Sequence, residues 1–277
     1  WGIFGWINRY IFIPVFGFIS ALGVGYGIAI VLFTILVRIV MSPVTYKSYL
    51  SQAKMKVLRP EIAELNEKFK DNPMKKQQET MKLYSKAGVN PMAGCLPALM
   101  QMPIFYALFQ FFPSMFDLRQ KSFLWADDLS SYDSIYQLPF HIPFYGSHVS
   151  LFPILASVAI FFYMKMTTGD QAMSTPPQEG MPDMGKIMKI MIYISPVMML
   201  FFFNNYASGL SLYYFISNLI TIGIMLVIKN YIVKEDKIHA QIQENKTKEK
   251  KESKFQRKMR EMMEQAEAQK AAQQKKK

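Results

Sequence analysis

Cysteine is almost absent from this chain: Cys95 stands alone among 277 residues, so no disulfide can form within it. Histidine is nearly as scarce. His141, His148 and His239 share no metal-ligand spacing, and neither HExxH nor GxSxG nor a glycine-rich phosphate loop occurs. No enzyme and no cofactor is expected from such a set. Acidic residues are missing from one kind of place. The apolar stretches 24–44, 92–112, 149–164, 187–203 and 210–228 contain no Asp or Glu at all.

Those stretches dominate what is present. A hydrocarbon core about 30 Å thick is crossed by roughly 20 apolar residues in a helix, and all but the short 149–164 meet that length. Hydrophobic residues make up 51% of the chain, while the mean hydropathy of +0.09 averages these runs with very polar segments such as 246–260. The sequence therefore predicts an all-α, polytopic membrane protein with five crossings.

Net charge is +12, and its distribution orients the chain. Lys and Arg number ten in 45–90, two in 113–150, three in 165–189 and fifteen in 229–277. Basic loops stay inside, so 45–90 and the tail are expected in the cytoplasm and 113–150, with four Asp, outside. The chain then starts outside and ends in the cytoplasm.

Residues 1–22 are expected to form an interfacial amphipathic helix with Pro14 interrupting any straight span, or else a lead-in to the first crossing. The core is 23–232. Within it, Leu50, Val57, Leu58, Ile62, Leu65 and Phe69 recur at helical spacing, Asp71-Asn72-Pro73 marks a turn, and Gly88 suits a cap. The stretch 45–90 thus reads as a cytoplasmic helical hairpin. The outer loop is 113–148, a Pro- and Gly-rich cytoplasmic loop is 165–186, and 233–277 is a basic cytoplasmic tail. The short connection 204–209 predicts that the last two crossings are antiparallel neighbours.

Arg38 is the anomaly. It lies 12 residues after Tyr26, or roughly 18 Å along a helix, and five residues before Pro43, which is expected to end that helix. An arginine at mid-bilayer costs roughly 2.5–3.5 kcal/mol on insertion scales unless it snorkels to the headgroups. Thr34, Ser42 and Thr45 share its stripe. Ser211, Tyr214, Asn218 and Thr221 form a second stripe on the last crossing, and Gln101 adds a polar group to the proline-rich second one. Interhelical hydrogen bonding explains each stripe alone; together with a positive charge they describe a polar cavity whose counter-charge comes from a ligand. Methionines gathered over 164–199 would suit a surface that accepts varied apolar segments, or fill gaps.

The stretches "TILVRIVMSPVT", "AKMKVLRPEI", "GVNPMAGCLPALMQMPIF", "DLRQKSFLWADDLS" and "ASGLSLYYFISN" resemble, in order and placement, the YidC/Oxa/Alb membrane protein insertases. The resemblance covers residues 5–232. It implies five helices around a hydrophilic groove open to cytoplasm and lipid, in which Arg38 is the groove arginine, Thr34 and Tyr214 face the substrate, and Gln101 lines the groove. It also implies insertion and chaperoning of nascent membrane proteins without nucleotide hydrolysis. Implied partners are the ribosome, through the hairpin and basic tail, anionic phospholipids, and the Sec translocon. Relatives carry a further amino-terminal helix and a large periplasmic domain; neither is visible and residue 1 is Trp, so a longer natural chain is expected. The outer loop also departs from the family around "HIPFYGSHVS". The rival reading is a channel or small-solute transporter using the same cavity. Ser211 and Asn218 complete the candidate groove.

Overall fold

A computed structural model describes residues 4–70, 72–90, 96–172, 184–232 and 235–247. The chain opens with a helical segment made of α1 (Gly5–Ile7), a π-helical turn (Asn8–Phe12) and α2 (Ile13–Ala21). Pro14 does not break it. It stands just after the π-helical turn, in a helical run that continues from Gly5 to Ala21. The inward face buries Phe12 and Phe16 against Phe33 and Phe111, with ring centroids 5.2–6.2 Å apart. Asn8, fully buried, donates to the Ala107 carbonyl at 2.8 Å. The outward face carries Trp6, Tyr10, Ile11 and Phe18, so the segment is apolar on both sides and less amphipathic than expected.

α3 (Tyr26–Val57) corrects the expectation at Pro43, because the helix runs straight through it for 32 residues. Proline lacks the N–H that would bond the carbonyl four residues back. Ser42 supplies the missing donor: its hydroxyl bonds the Ile39 carbonyl at 2.7 Å. α4 (Arg59–Lys68) and α5 (Pro73–Ala87) then form the expected hairpin, with the Asn72 side chain capping α5 at its start and Gly88, at φ 67°, ending it.

α6 (Leu96–Ser114) passes through Pro103 and Pro113. Residues 91–95, including Cys95, lie outside the described residues. α7 (Leu151–Ala172) is apolar over Leu151–Thr167, and α8 (Met184–Asn204) and α9 (Ser208–Val227) follow. Helices within Tyr26–Val57, Gly185–Asn204 and Ser208–Tyr231 are long and apolar enough to span a bilayer. The protein is a helical, multi-pass membrane protein. The loop 165–186 is partly helical, since α7 extends to Ala172, and 173–183 fall outside the described residues; so do Met173 and Met181.

Two packing relations differ from expectation. α9 lies between α3 and α7, and α8 packs chiefly along α7, touching α9 only lightly although the two are joined by a few residues. Ser157 on α7 ties to α8 through the Pro196 carbonyl at 3.0 Å. The tail also begins as structure. α10 (Glu235–Thr247) packs on α3 and α5, burying Ile238 and Ile242 with Met55, Leu58, Ile62, Tyr84, Ala87 and Val89 in a second core. The rest of the tail, 248–277, lies outside the described residues.

The loop 113–150 holds the only strands among the described residues. β1 (Tyr136–Ile142) and β2 (Gly146–Val149) pair antiparallel, with 138–141 bulged opposite Ser147. Pro139 falls in the bulge, where a missing ladder donor costs nothing. Asp133 anchors the loop. One of its oxygens accepts from the Trp125 indole at 2.9 Å and from the first amides of α7, Leu151 and Phe152, at 2.9 and 3.0 Å. Residues 129–131 do the same for α9: the Ser208 and Gly209 amides bond the Ser131 and Leu129 carbonyls at 2.7 and 3.0 Å. Gly209 permits that approach, since a Cβ there would lie 2.9 Å from both the Leu129 oxygen and the Phe112 ring.

Candidate functional site: the seam between α3, α6 and α9

Arg38 sits half-buried on α3, facing α9, and its Nε donates to the Ser217 hydroxyl. Ser217 is fully buried and was missed by the sequence reading, although it follows Tyr214 by one helical step and adjoins Asn218. Among the described residues, no carboxylate pairs with Arg38. The hydrogen-bond partner of this positive charge, among those residues, is a neutral hydroxyl.

Tyr214 is the second hub. Its hydroxyl accepts from the Gln101 amide of α6 at 3.2 Å, and its ring packs against Phe105 and Phe203 at 5.7 and 5.3 Å. Gln101 and Tyr214 are therefore brought together across α6 and α9, as their shared polarity suggested. Asn218 donates to the Tyr214 carbonyl at 2.7 Å and Thr221 to the Ser217 carbonyl at 2.8 Å, so both polar groups are satisfied within α9. Ser211 is fully buried and its hydroxyl has no partner among the described residues.

The α3 stripe resolves differently. Thr34 is fully buried and turns its hydroxyl back to the Ile30 carbonyl at 2.6 Å; Ser42 and Thr45 likewise bond their own helix. Such back-bonding is the ordinary fate of hydroxyls in a membrane helix. Of that stripe only Arg38 reaches across to another helix. Among the described methionines of 164–199, Met191 and Met198 are exposed on α8, while Met164 and Met199 pack at the edge of the core.

The histidines hold no ligand set. His148 is buried, stacked on Tyr132 at 4.0 Å and bonded to the Asn204 carbonyl at 2.8 Å, whereas His141 is exposed. Among the described residues, no three His, Cys, Asp or Glu side chains gather where they could hold a metal ion.

Comparison with known proteins places the chain in a family. The chain is 49% identical over 259 residues to a protein of Parabacteroides distasonis named membrane protein insertase YidC, covering 91% of this chain and 40% of that protein. Proteins of the same name from Bacteroides fragilis and Porphyromonas gingivalis are 47% and 44% identical, covering 89% and 99% of this chain. The chain spans about two fifths of the length of these relatives, at 40%, 39% and 44%. Residues 17–237 match the 60Kd inner membrane protein family, and the chain belongs to that family.

Proposed function

We propose that this chain is the insertase core of a bacterial inner-membrane protein that inserts nascent membrane proteins and helps them fold, without hydrolysing nucleotide. The observation that carries the reading is Arg38 at the α3–α9 seam, hydrogen-bonded to the Ser217 hydroxyl and without a carboxylate partner among the described residues. A charge kept in lipid without a protein counter-ion marks a site whose partner is transient.

The mechanism follows from solvation. An incoming segment must carry polar, often acidic, groups through a medium that cannot hydrogen-bond them. A wetted groove shortens that distance. Arg38 attracts the acidic groups, more strongly in low dielectric than in water, while Gln101, Tyr214, Ser211 and Asn218 offer polar and aromatic contacts and Thr34 lies beneath. The apolar segment leaves sideways into lipid. In this reading five helices cross the bilayer, residues 1–22 lie at the interface, the α4–α5 hairpin and tail are cytoplasmic, and the loop 113–148 is outside. Ribosomal RNA, anionic lipid and a translocon are the partners such basic surfaces would meet.

Water access is the test. In a Cys95→Ser background, a cysteine replacing Arg38 is expected to react with a membrane-impermeant thiol reagent from the cytoplasmic side, and one replacing Tyr214 to crosslink a stalled nascent chain. A site unreactive from that side, with no crosslink, overturns the reading.

A further inference from the structure

The stretch "HIPFYGSHVS" forms the tip and second strand of the β1–β2 hairpin. The tip is a four-residue turn, Ile142 to Tyr145, closed by the Tyr145 amide on the Ile142 carbonyl at 3.1 Å. Pro143 holds the second position and Phe144 the third, at φ 66°. This is the arrangement of a type II turn, whose third position ordinarily takes Gly or Asn because a side chain there is strained. Phenylalanine occupies it instead. Its ring is 90% exposed, the most open large apolar side chain among the described residues. In water both features are unfavourable.

The hairpin is held firmly in one place. Asn204, at the end of α8, donates to the Tyr145 and His148 carbonyls at 2.8 and 2.9 Å; Asn205 donates to the Phe144 carbonyl at 3.1 Å. The Tyr145 ring meets Phe201 of α8 at 5.3 Å. Val197, Met198, Phe201 and Phe202 are exposed on that same end of α8. On a membrane-crossing helix such a surface faces lipid. The tip therefore continues a lipid-facing surface just beyond the end of the span, where hydrocarbon gives way to headgroups. Tyr136 and Phe140 add two more exposed rings on β1, and 134–150 contain no Lys, Arg, Asp or Glu. Aromatic rings without formal charge are what that layer favours.

We propose that the β1–β2 hairpin is a membrane anchor, with the Phe144 ring seated in the headgroup layer beside the α8–α9 turn and bilayer lipid as its partner. The strained backbone at the tip is offset by partition of the ring. Which leaflet is engaged follows from the proposed orientation, where it is the outer one; the lipid contact itself does not.

In a Cys95→Ser chain reconstituted in phosphatidylcholine–phosphatidylglycerol vesicles, an environment-sensitive fluorophore is attached through Phe144→Cys or, as a control, through Ser147→Cys. At 144, nitroxide carried near the lipid headgroup is expected to quench several-fold more strongly than aqueous iodide, and at 147 the order is reversed. Equal iodide quenching at both sites, with no lipid quenching, overturns the proposal and leaves a soluble protein as the occupant. Phe144→Gly, which suits the turn, gives an independent reading. It is expected to leave the melting temperature in detergent unchanged or higher while making the hairpin more protease-sensitive in vesicles; unchanged protection in vesicles contradicts the anchor.

Discussion

The guanidinium of Arg38 and the hydroxyl of Ser217, 179 positions apart in the chain, are hydrogen-bonded across the α3–α9 seam. The contact orients the charge without neutralising it. Arg38→Lys is expected to retain insertion of single-span substrates with acidic tails. Arg38→Ala or Arg38→Glu is expected to reduce it about tenfold or more, since hydrogen bonds to a charged group contribute about 1.5–3 kcal/mol and about 1.4 kcal/mol is a factor of ten. Protease protection of the translocated tail measures this. Equal insertion by all variants would show that Arg38 serves the headgroups.

Asn204 is fully buried and organises the junction of hairpin and helices. Its amide donates to Tyr145 and His148, and its oxygen accepts from the Ser150 amide at 3.1 Å. Asn204→Ala strands three buried backbone groups, each costing about 1–3 kcal/mol. Thermal unfolding in detergent is expected to show a loss of at least ~3 kcal/mol, with early cleavage in the loop 136–149.

Burial holds the Asp133 carboxyl above the usual carboxylate range, although the Phe152 amide, the Trp125 indole and the Leu151 amide pull it down. The folded chain therefore keeps this proton to higher pH than the unfolded chain. Stability from this group is fully present below the ordinary value of 3.8 and is lost as pH rises through the raised one. The Trp125 indole and the Leu151 and Phe152 amides all approach one oxygen, and the other is buried with no partner among the described residues. Asp133→Asn can keep those bonds, so it is expected to match or exceed the parent at neutral pH and to flatten the acid side of the melting profile. Asp133→Ala is expected to lose about 1–2 kcal/mol, as for a lost helix cap.

Ile238 and Ile242 fasten α10 to the hairpin core, and Asn245 bonds the Ala87 carbonyl at 3.3 Å. Ile238→Ala with Ile242→Ala is expected to abolish hydrogen-exchange protection over 235–247 and to loosen 58–89, because each buried Ile→Ala costs about 2–5 kcal/mol. A truncation after residue 234 removes this support, whereas one after 247 removes only the distal basic tail. Ribosome or lipid binding assigned to tail charge is therefore measured cleanly only with the second.

Gly27 on α3 faces the Phe123 ring so closely that an added Cβ would run into it. Gly27→Ala is expected to cost about 1–3 kcal/mol through overpacking, read as a lower melting temperature with no change in helix content.

Long apolar runs and helical periodicity made the spans and the hairpin legible in sequence, because each signal is repeated over many residues, and the charge in the seam was legible as the one exception to such a run. Features that rest on one exchange of partners were not. Pro43 reads as a helix end unless Ser42 is known to serve the Ile39 carbonyl. The α8–α9 connection is short enough to imply packed neighbours, yet α7 offers α8 the better surface. β1 and β2 were hidden because Pro139 and the bulge break the alternation that marks a strand. α10 was hidden because two isoleucines among Glu, Lys and Gln read as a solvated helix until the hairpin supplies their cover. Within the site, Arg38, Gln101 and Tyr214 were legible as polar residues in oil. Ser217 was not, since a serine in a span usually bonds its own helix.

α3 joins two places that matter for different reasons. It carries Arg38 inside the bilayer and ends, 19 residues on, in the hairpin core at Val57, Leu58 and Met55. Ser42 bonds the carbonyl that Pro43 leaves without its donor, so the two lie on one continuous helix. They form one rod about 48 Å long. On the proposed reading, a macromolecule docked on the hairpin would therefore hold the same helix that carries the guanidinium.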